Sequence, residues 1–345
     1  MKTLIGCCLI HLCIGSVYAL SVLYPTLSNW STTSLVMGFS LTIMMLGITA
    51  SVHQRLLEQH HQTNILKIGV LVWGISQFGV LLSWDTNIEW AYYVCCMTLG
   101  TGIGLLYVIP INIIANYGYH YMGRATGSVV CCFGLGSIIA TKLFLLVPLY
   151  VLYITYVIIM FVGTTMVQGK VITNQSLFVK DKQWYTYTIV FFLNIGIGIS
   201  LLSNLVQLST NQGLTTGEAI TLVALVGLTN TIGRLVYASI SDYIGKHQTI
   251  QWLLYIQFLA LLGMYECWTL SVMVIISVYG GVFALMPGLM KETYQSTVPY
   301  SQALSVWGFA GLVCPIMFSQ LGVGMLLAMS LTTIVLIHIP KYVKC

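Results

Sequence analysis

Apolar stretches close to twenty residues long, divided by short polar turns, run the whole length of the chain. Pro, Gly, Asn and charged residues punctuate them into twelve candidate helices: 4–24, 33–53, 65–83, 90–115, 125–146, 149–168, 184–207, 217–239, 249–264, 270–289, 301–320 and 322–339. A helix needs about 20 predominantly apolar residues to cross a hydrocarbon core roughly 30 Å thick. Most of these stretches meet that length, and 249–264 is the shortest. The pattern therefore predicts an all-α integral membrane protein that spans the bilayer many times.

Composition excludes the other broad classes. The chain has 345 residues, 58% of them hydrophobic and 6% charged, against about 25% charged in a typical soluble domain. A soluble enzyme of this size lacks the charge to cover its surface, and disorder requires low hydrophobicity. The net charge of +5 is spread over scattered residues, which argues against a nucleic-acid partner. Three of the cysteine pairs, Cys7-Cys8, Cys95-Cys96 and Cys131-Cys132, lie in apolar runs. They read as small packing residues, neither disulfides nor metal ligands. No metal or cofactor is expected. The first apolar run has no small-residue cleavage site and reads as a first span, not a removed signal.

The charges orient the spans. With the N-terminus inside, the inside segments hold Lys2, Arg55, Lys67, Arg124, Lys170, Lys180, Lys182, Lys246, Lys291, Lys341 and Lys344. The outside loops hold Asp85, Glu89, Glu218 and Glu266, with no Lys or Arg. Cytoplasmic loops carry the Lys/Arg excess, so both termini are expected to be cytoplasmic. Away from the inside ends of the spans two cations remain, Lys142 and Arg234. Lys142 is near the outer end of its span, where it can snorkel; Arg234 is deeper.

The longest inside loop, 169–183, divides the chain into an N-terminal half, 1–168, and a C-terminal half, 184–345. A weak internal repeat accompanies the division. Tyr107-Val-Ile-Pro110 falls late in the fourth span and Phe283-Ala-Leu-Met-Pro287 late in the tenth. Two six-helix halves related by an axis along the membrane normal describe the major facilitator architecture.

Particular motifs carry a resemblance. The eighth span reads Asn230-Thr-Ile-Gly-Arg234-Leu-Val-Tyr-Ala-Ser-Ile-Ser241-Asp242-Tyr-Ile-Gly245-Lys246. The fourth and fifth contribute Gly100-Thr-Gly102-Ile-Gly104-Leu-Leu-Tyr107-Val-Ile-Pro110, Gly123-Arg124-Ala-Thr-Gly127 and Phe133-Gly-Leu-Gly136. The first offers Gly15-Ser-Val-Tyr18-Ala and the tenth Tyr279-Gly-Gly-Val-Phe283. Together they resemble the major facilitator superfamily, in particular its oxalate/formate antiporter branch, and are similar to the monocarboxylate transporters. The resemblance implies one anion site between the halves, worked by alternating access, with Arg234 as the anion's cation. It implies walls from Tyr18, Tyr107, Tyr279 and Phe283, with Phe133 at a further aromatic position. It also implies a loop and gating role for Asp242, Gly245, Lys246 and Arg124. Two features depart from the pattern. Trp307 stands where the branch has a span-eleven lysine, and Ser51–Glu58 lacks the usual first-half loop motif.

The residues themselves leave alternatives open. A spanning arginine costs at least about 2.5–3.5 kcal/mol, so it faces a cavity or a partner. Arg234 either grips a carboxylate with its planar fork or reaches the inner headgroups and Asp242. Asn230, one turn away on the same face, either orients the guanidinium or joins helices. His11 shares a face with Tyr18 and either carries a proton or makes a structural hydrogen bond. No Asp or Glu falls mid-span, with Glu218, Glu266 and Asp242 at the ends, which favours exchange or facilitated diffusion. Gly118-x-x-x-x-Gly123-Arg124 lacks the Lys-Ser/Thr of a phosphate loop, and no catalytic constellation appears, so an enzyme is not expected. The expectation is a monomeric transporter of a small organic anion, a monocarboxylate before oxalate. The alternatives are a receptor or scaffold that keeps the fold, or a transporter of an unrelated small solute.

Overall fold

The computed structural model describes residues 1–22, 30–59, 61–116, 121–169 and 180–338. Positions 170–179 of the expected linker, with Lys170, and also Gly118, Lys341 and Lys344 lie outside the described residues. The described residues form helices and no strands. In the first half these are α1 (Lys2–Ile14), continued as a 3-10 turn over Gly15–Val22, α2 (Thr32–Gln59), α3 (Gln62–Asp85), α4 (Glu89–Asn116), α5 (Met122–Leu146) and α6 (Leu149–Met166). In the second they are α7 (Lys182–Asn211), α8 (Thr216–Ile244), α9 (Lys246–Leu262), α10 (Trp268–Tyr294), the short α11 (Val298–Ala303) and α12 (Ser305–Ile337).

Local chemistry sets the breaks. The Asp181 carboxylate accepts from the Trp184 amide at 2.8 Å and caps α7. Thr215 and Glu218 form a capping box at α8, satisfying first-turn donors that the helix leaves unpaired. Gly245, at φ 87°, is the single residue between α8 and α9. Gly322, at φ 63° and ψ −158°, breaks α12 into two arms, so the last two expected spans run on from one another through a glycine hinge. A residue with a Cβ would be strained at either position.

Among the described residues, nine stretches are long and apolar enough to cross a membrane, and Met37–His53 of α2 is a shorter one. With the 17-residue α9 and the first arm of α12 there are twelve long helical segments, six in each half. Several boundaries differ from expectation. Ser51–Glu58 is the last part of α2 rather than a loop, and α8 continues through Asp242 to Ile244. Helical hydrogen bonding continues past the end of an apolar run, because freed backbone groups would need new partners.

Short connections make successive helices antiparallel, which gathers Lys67, Arg124, Lys182, Lys246 and Lys291 at one end of the bundle. This is the basic end. The halves meet where α5 runs along α8 and α2 along α12. Glycines permit the approach: a Cβ on Gly127 would lie 2.6 Å from the Ala238 Cβ, and one on Gly47 would lie 2.8 Å from the Gly308 nitrogen. Small residues at such seams let backbones pack closely in a membrane.

Candidate functional site

Four helices of different halves bring their aromatic residues to one place, about 15 Å from the basic end at ~1.5 Å per helical residue. Tyr107 of α4, Phe133 of α5, Phe283 of α10 and Trp307 of α12 are all buried. The rings of Phe283 and Trp307 are 4.7 Å apart, and Tyr107 lies 5.4 Å from both Phe133 and Trp307. These offset and edge-on arrangements are the favourable ones for aromatic pairs.

Arg234 of α8 enters this box from the second half. It is 1% exposed. Its guanidinium carbon lies 5.4 Å from the Phe283 ring centre and 5.9 Å from that of Phe133. One terminal nitrogen donates to the Val130 carbonyl at 3.0 Å, across the seam between halves. The Nε atom has no partner, and among the described residues no carboxylate pairs with the guanidinium. The arginine therefore sits inside the protein and does not reach Asp242 or the headgroup layer.

Polar atoms without partners converge on the same space. Among the described residues these are His11 Nε2 and Trp307 Nε1, beside the Tyr107 and Tyr300 hydroxyls, which face each other. Tyr, Trp and Arg supply mostly donors, so the box is polarised to receive an acceptor-rich group. Tyr18 pairs through its hydroxyl with Tyr279, and its ring packs edge-on to Phe133 at 5.5 Å. Asn230 lies against Gly280 rather than bonding to Arg234. Lys142 is exposed on the outer part of α5 and contributes no charge here.

Two members were not anticipated from sequence. Tyr300, fully buried on the short α11, faces Tyr107 from the basic side. Phe191 of α7 packs 5.2 Å from Phe283 and 6.2 Å from Tyr300. Neither falls in a motif, and in a chain with 21 tyrosines and 12 phenylalanines ring type alone marks nothing.

The expected gating residues sit together at the basic end but act differently. Asp242 accepts from the backbone amides of Gly123 at 2.7 Å and Arg124 at 2.8 Å. It thus caps the first turn of α5 from the opposite half. Arg124 takes part through its main chain, while its exposed guanidinium lies over Tyr121. Lys246 pairs within its own half, with Glu292 at 2.5 Å. Two more ties join the halves here: Asn112 donates to Ser301 at 3.1 Å, and Lys291 donates to the Ala115 carbonyl. Among the described residues these contacts tie the two halves together at the basic end, beneath the aromatic box. Among the described residues no cluster of His, Cys, Asp and Glu is placed to hold a metal ion.

No protein-family model matches the sequence, and no curated protein matches it at a significant level. Solved structures match it over nearly its full length. The fucose:proton symporter FucP of E. coli superposes with a TM-score of 0.79 at 13% identity, covering 96% of each chain. A bacterial homologue of the iron transporter ferroportin, in an outward-facing state, gives 0.74 at 13%, covering 97% of each chain. The human organic anion transporter MFSD10 gives 0.74 at 13%, covering 98% of this chain and 99% of that one. The chain is a multi-pass integral membrane protein with the major facilitator fold.

Proposed function

We propose that the protein is a transporter that moves a small organic anion, a monocarboxylate in preference to oxalate, by alternating access between its halves. The observation that carries this reading is Arg234, buried at the seam with a free donor and no carboxylate partner among the described residues. A charged group without a partner is costly in a low-dielectric interior. A bound carboxylate removes that cost and accepts from the Arg234 fork and the Tyr107 and Tyr300 hydroxyls. The rings of Trp307 and Phe283 leave an apolar wall for a short hydrocarbon body. The box holds one full positive charge, which matches one carboxylate. Contacts joining the halves at the basic end are those of a transporter closed on that side, and two of the similar solved structures are described as outward.

Uptake of labelled formate, lactate and pyruvate into proteoliposomes tests the function. Saturable uptake above that of protein-free vesicles is expected with at least one of them, and its absence with all three overturns the reading. Trp307→Lys places a second cation against the box. It should shift preference toward dicarboxylates by about tenfold or more, since a charge-assisted hydrogen bond contributes roughly 1.5–3 kcal/mol. An unchanged preference would remove Trp307 from the site.

The basic end should face the cytoplasm. Single cysteines replacing Lys180 and Asp85 in a Cys-less background should react with impermeant reagents from opposite sides of the membrane. Labelling from the same side contradicts the orientation.

A further inference from the structure

A groove lies apart from the aromatic box, at the basic end and within the second half. It opens to solvent and offers about 690 Å³ between the first turns of α7 and α9 and the last turns of α10. Its most buried charged group is Lys246, 6% exposed, whose ammonium meets Glu292 at 2.5 Å while Glu292 itself is 49% exposed. The lysine stem is seated by the fold: a Cβ on Gly288 would lie 2.7 Å from Lys246 Cδ. Lys291 directly precedes Glu292 on α10. Among the lining residues Lys246 is the one lysine and Glu292 the one carboxylate, and Lys291 adds a further cation beside them on α10.

The rest of the lining is rich in amides. Gln183 is engaged with the Tyr187 hydroxyl at 2.9 Å, and His247 packs its ring 6.2 Å from that of Tyr187. Gln248 and Gln251 also line the groove. An amide can both donate and accept, so these two suit a ligand that carries hydroxyl or ammonium groups beside an anion. The volume is too large for a bare oxyanion and falls in the range of small-molecule sites, roughly 300–1,000 Å³. Glu292, half exposed, is the group that an incoming dianion would displace from Lys246.

We propose that this groove binds a phosphate-bearing molecule, with the phosphate on Lys246 and the polar body against Gln248 and Gln251. Phosphate suits the site because its oxygens accept several charge-assisted hydrogen bonds at once. The ligand is either a lipid headgroup from the adjoining leaflet or a soluble phosphate ester, since the groove lies where the helix ends leave the membrane. Occupancy would reach the seam between halves directly: Lys291, on the same turn as Glu292, is the residue that ties α10 to the Ala115 carbonyl.

The test is the melting temperature of the intact detergent-solubilised protein in titrations at matched ionic strength. The probes are inorganic phosphate, glycerol 3-phosphate and dioctanoyl phosphatidylglycerol, with potassium chloride and dioctanoylglycerol as controls. A saturable rise with a phosphate probe and none with either control is expected. Glycerol 3-phosphate acting alone marks a soluble ester, and the short-chain lipid acting alone marks a headgroup. Lys246→Gln should weaken the effective probe at least tenfold, and Glu292→Gln should tighten it by removing the competitor. Gln251→Leu provides a second variant that keeps the lysine and should weaken the ester more than inorganic phosphate. Equal shifts with chloride, no shift with any phosphate probe, or wild-type affinity in both Lys246→Gln and Gln251→Leu overturns the proposal.

Discussion

Replacing Arg234 by methionine should abolish saturable anion uptake while leaving the melting temperature unchanged or higher. On the proposed function the two effects separate, because the arginine would then serve the ligand more than the fold. Holding it in the membrane costs at least about 2.5–3.5 kcal/mol. Its single hydrogen bond to Val130 contributes roughly 1.5–3 kcal/mol, and the two ring contacts about 0.5–2 kcal/mol each. These terms nearly cancel, and methionine fills similar space without the charge. Arg234→Lys keeps the charge but loses the planar fork, so affinity should fall about ten- to hundred-fold. Normal uptake by the methionine variant would refute the anchoring role. A fall of many degrees in its melting temperature would show the arginine to be a structural tie between α5 and α8.

The second large effect is expected at Asp242. Its carboxylate holds two amides at the start of α5 from the other half, and each charge-assisted bond contributes roughly 1.5–3 kcal/mol. Water takes over part of this in Asp242→Ala. A net loss of about 3 kcal/mol would still shift the balance of closed and open states at the basic end more than a hundredfold. Spin labels replacing Lys67 and Lys182, exposed on opposite halves at that end, report it. The variant should gain a population at longer separation. Identical distance distributions in wild type and variant would mean that Asn112–Ser301 and Lys291–Ala115 hold the gate without Asp242.

Physical terms decide which of these features can be read from the sequence. Crossing number and charge asymmetry are one-dimensional signals, because a span has to be apolar along its own length. Cations within spans are equally visible, but Lys142 and Arg234 carry the same signal and differ only in what surrounds them. One is exposed and the other lies in an aromatic box. Tyr107, Tyr279, Phe283 and Trp307 were reachable through motif register. Tyr300 and Phe191 were not, since their place in the box depends on the break after α10 and on how α7 packs. Asp242 could be picked out as a loop residue, yet its partners are backbone amides 118 and 119 positions away, which no local pattern encodes. Helix ends were misjudged at Ser51–Glu58 because hydropathy marks where the hydrocarbon ends, whereas hydrogen bonding decides where a helix ends.

The central claim is a single-cation site that takes one carboxylate. Competition on the unmodified protein tests it most directly: proteoliposomes take up labelled pyruvate in the presence of graded lactate or oxalate. The structure predicts that lactate competes fully and oxalate at least tenfold less well. A second carboxylate would lie against Trp307 unpaired, and an unpaired buried charge costs several kcal/mol. Oxalate competing better than lactate would contradict a site whose only buried cation is Arg234.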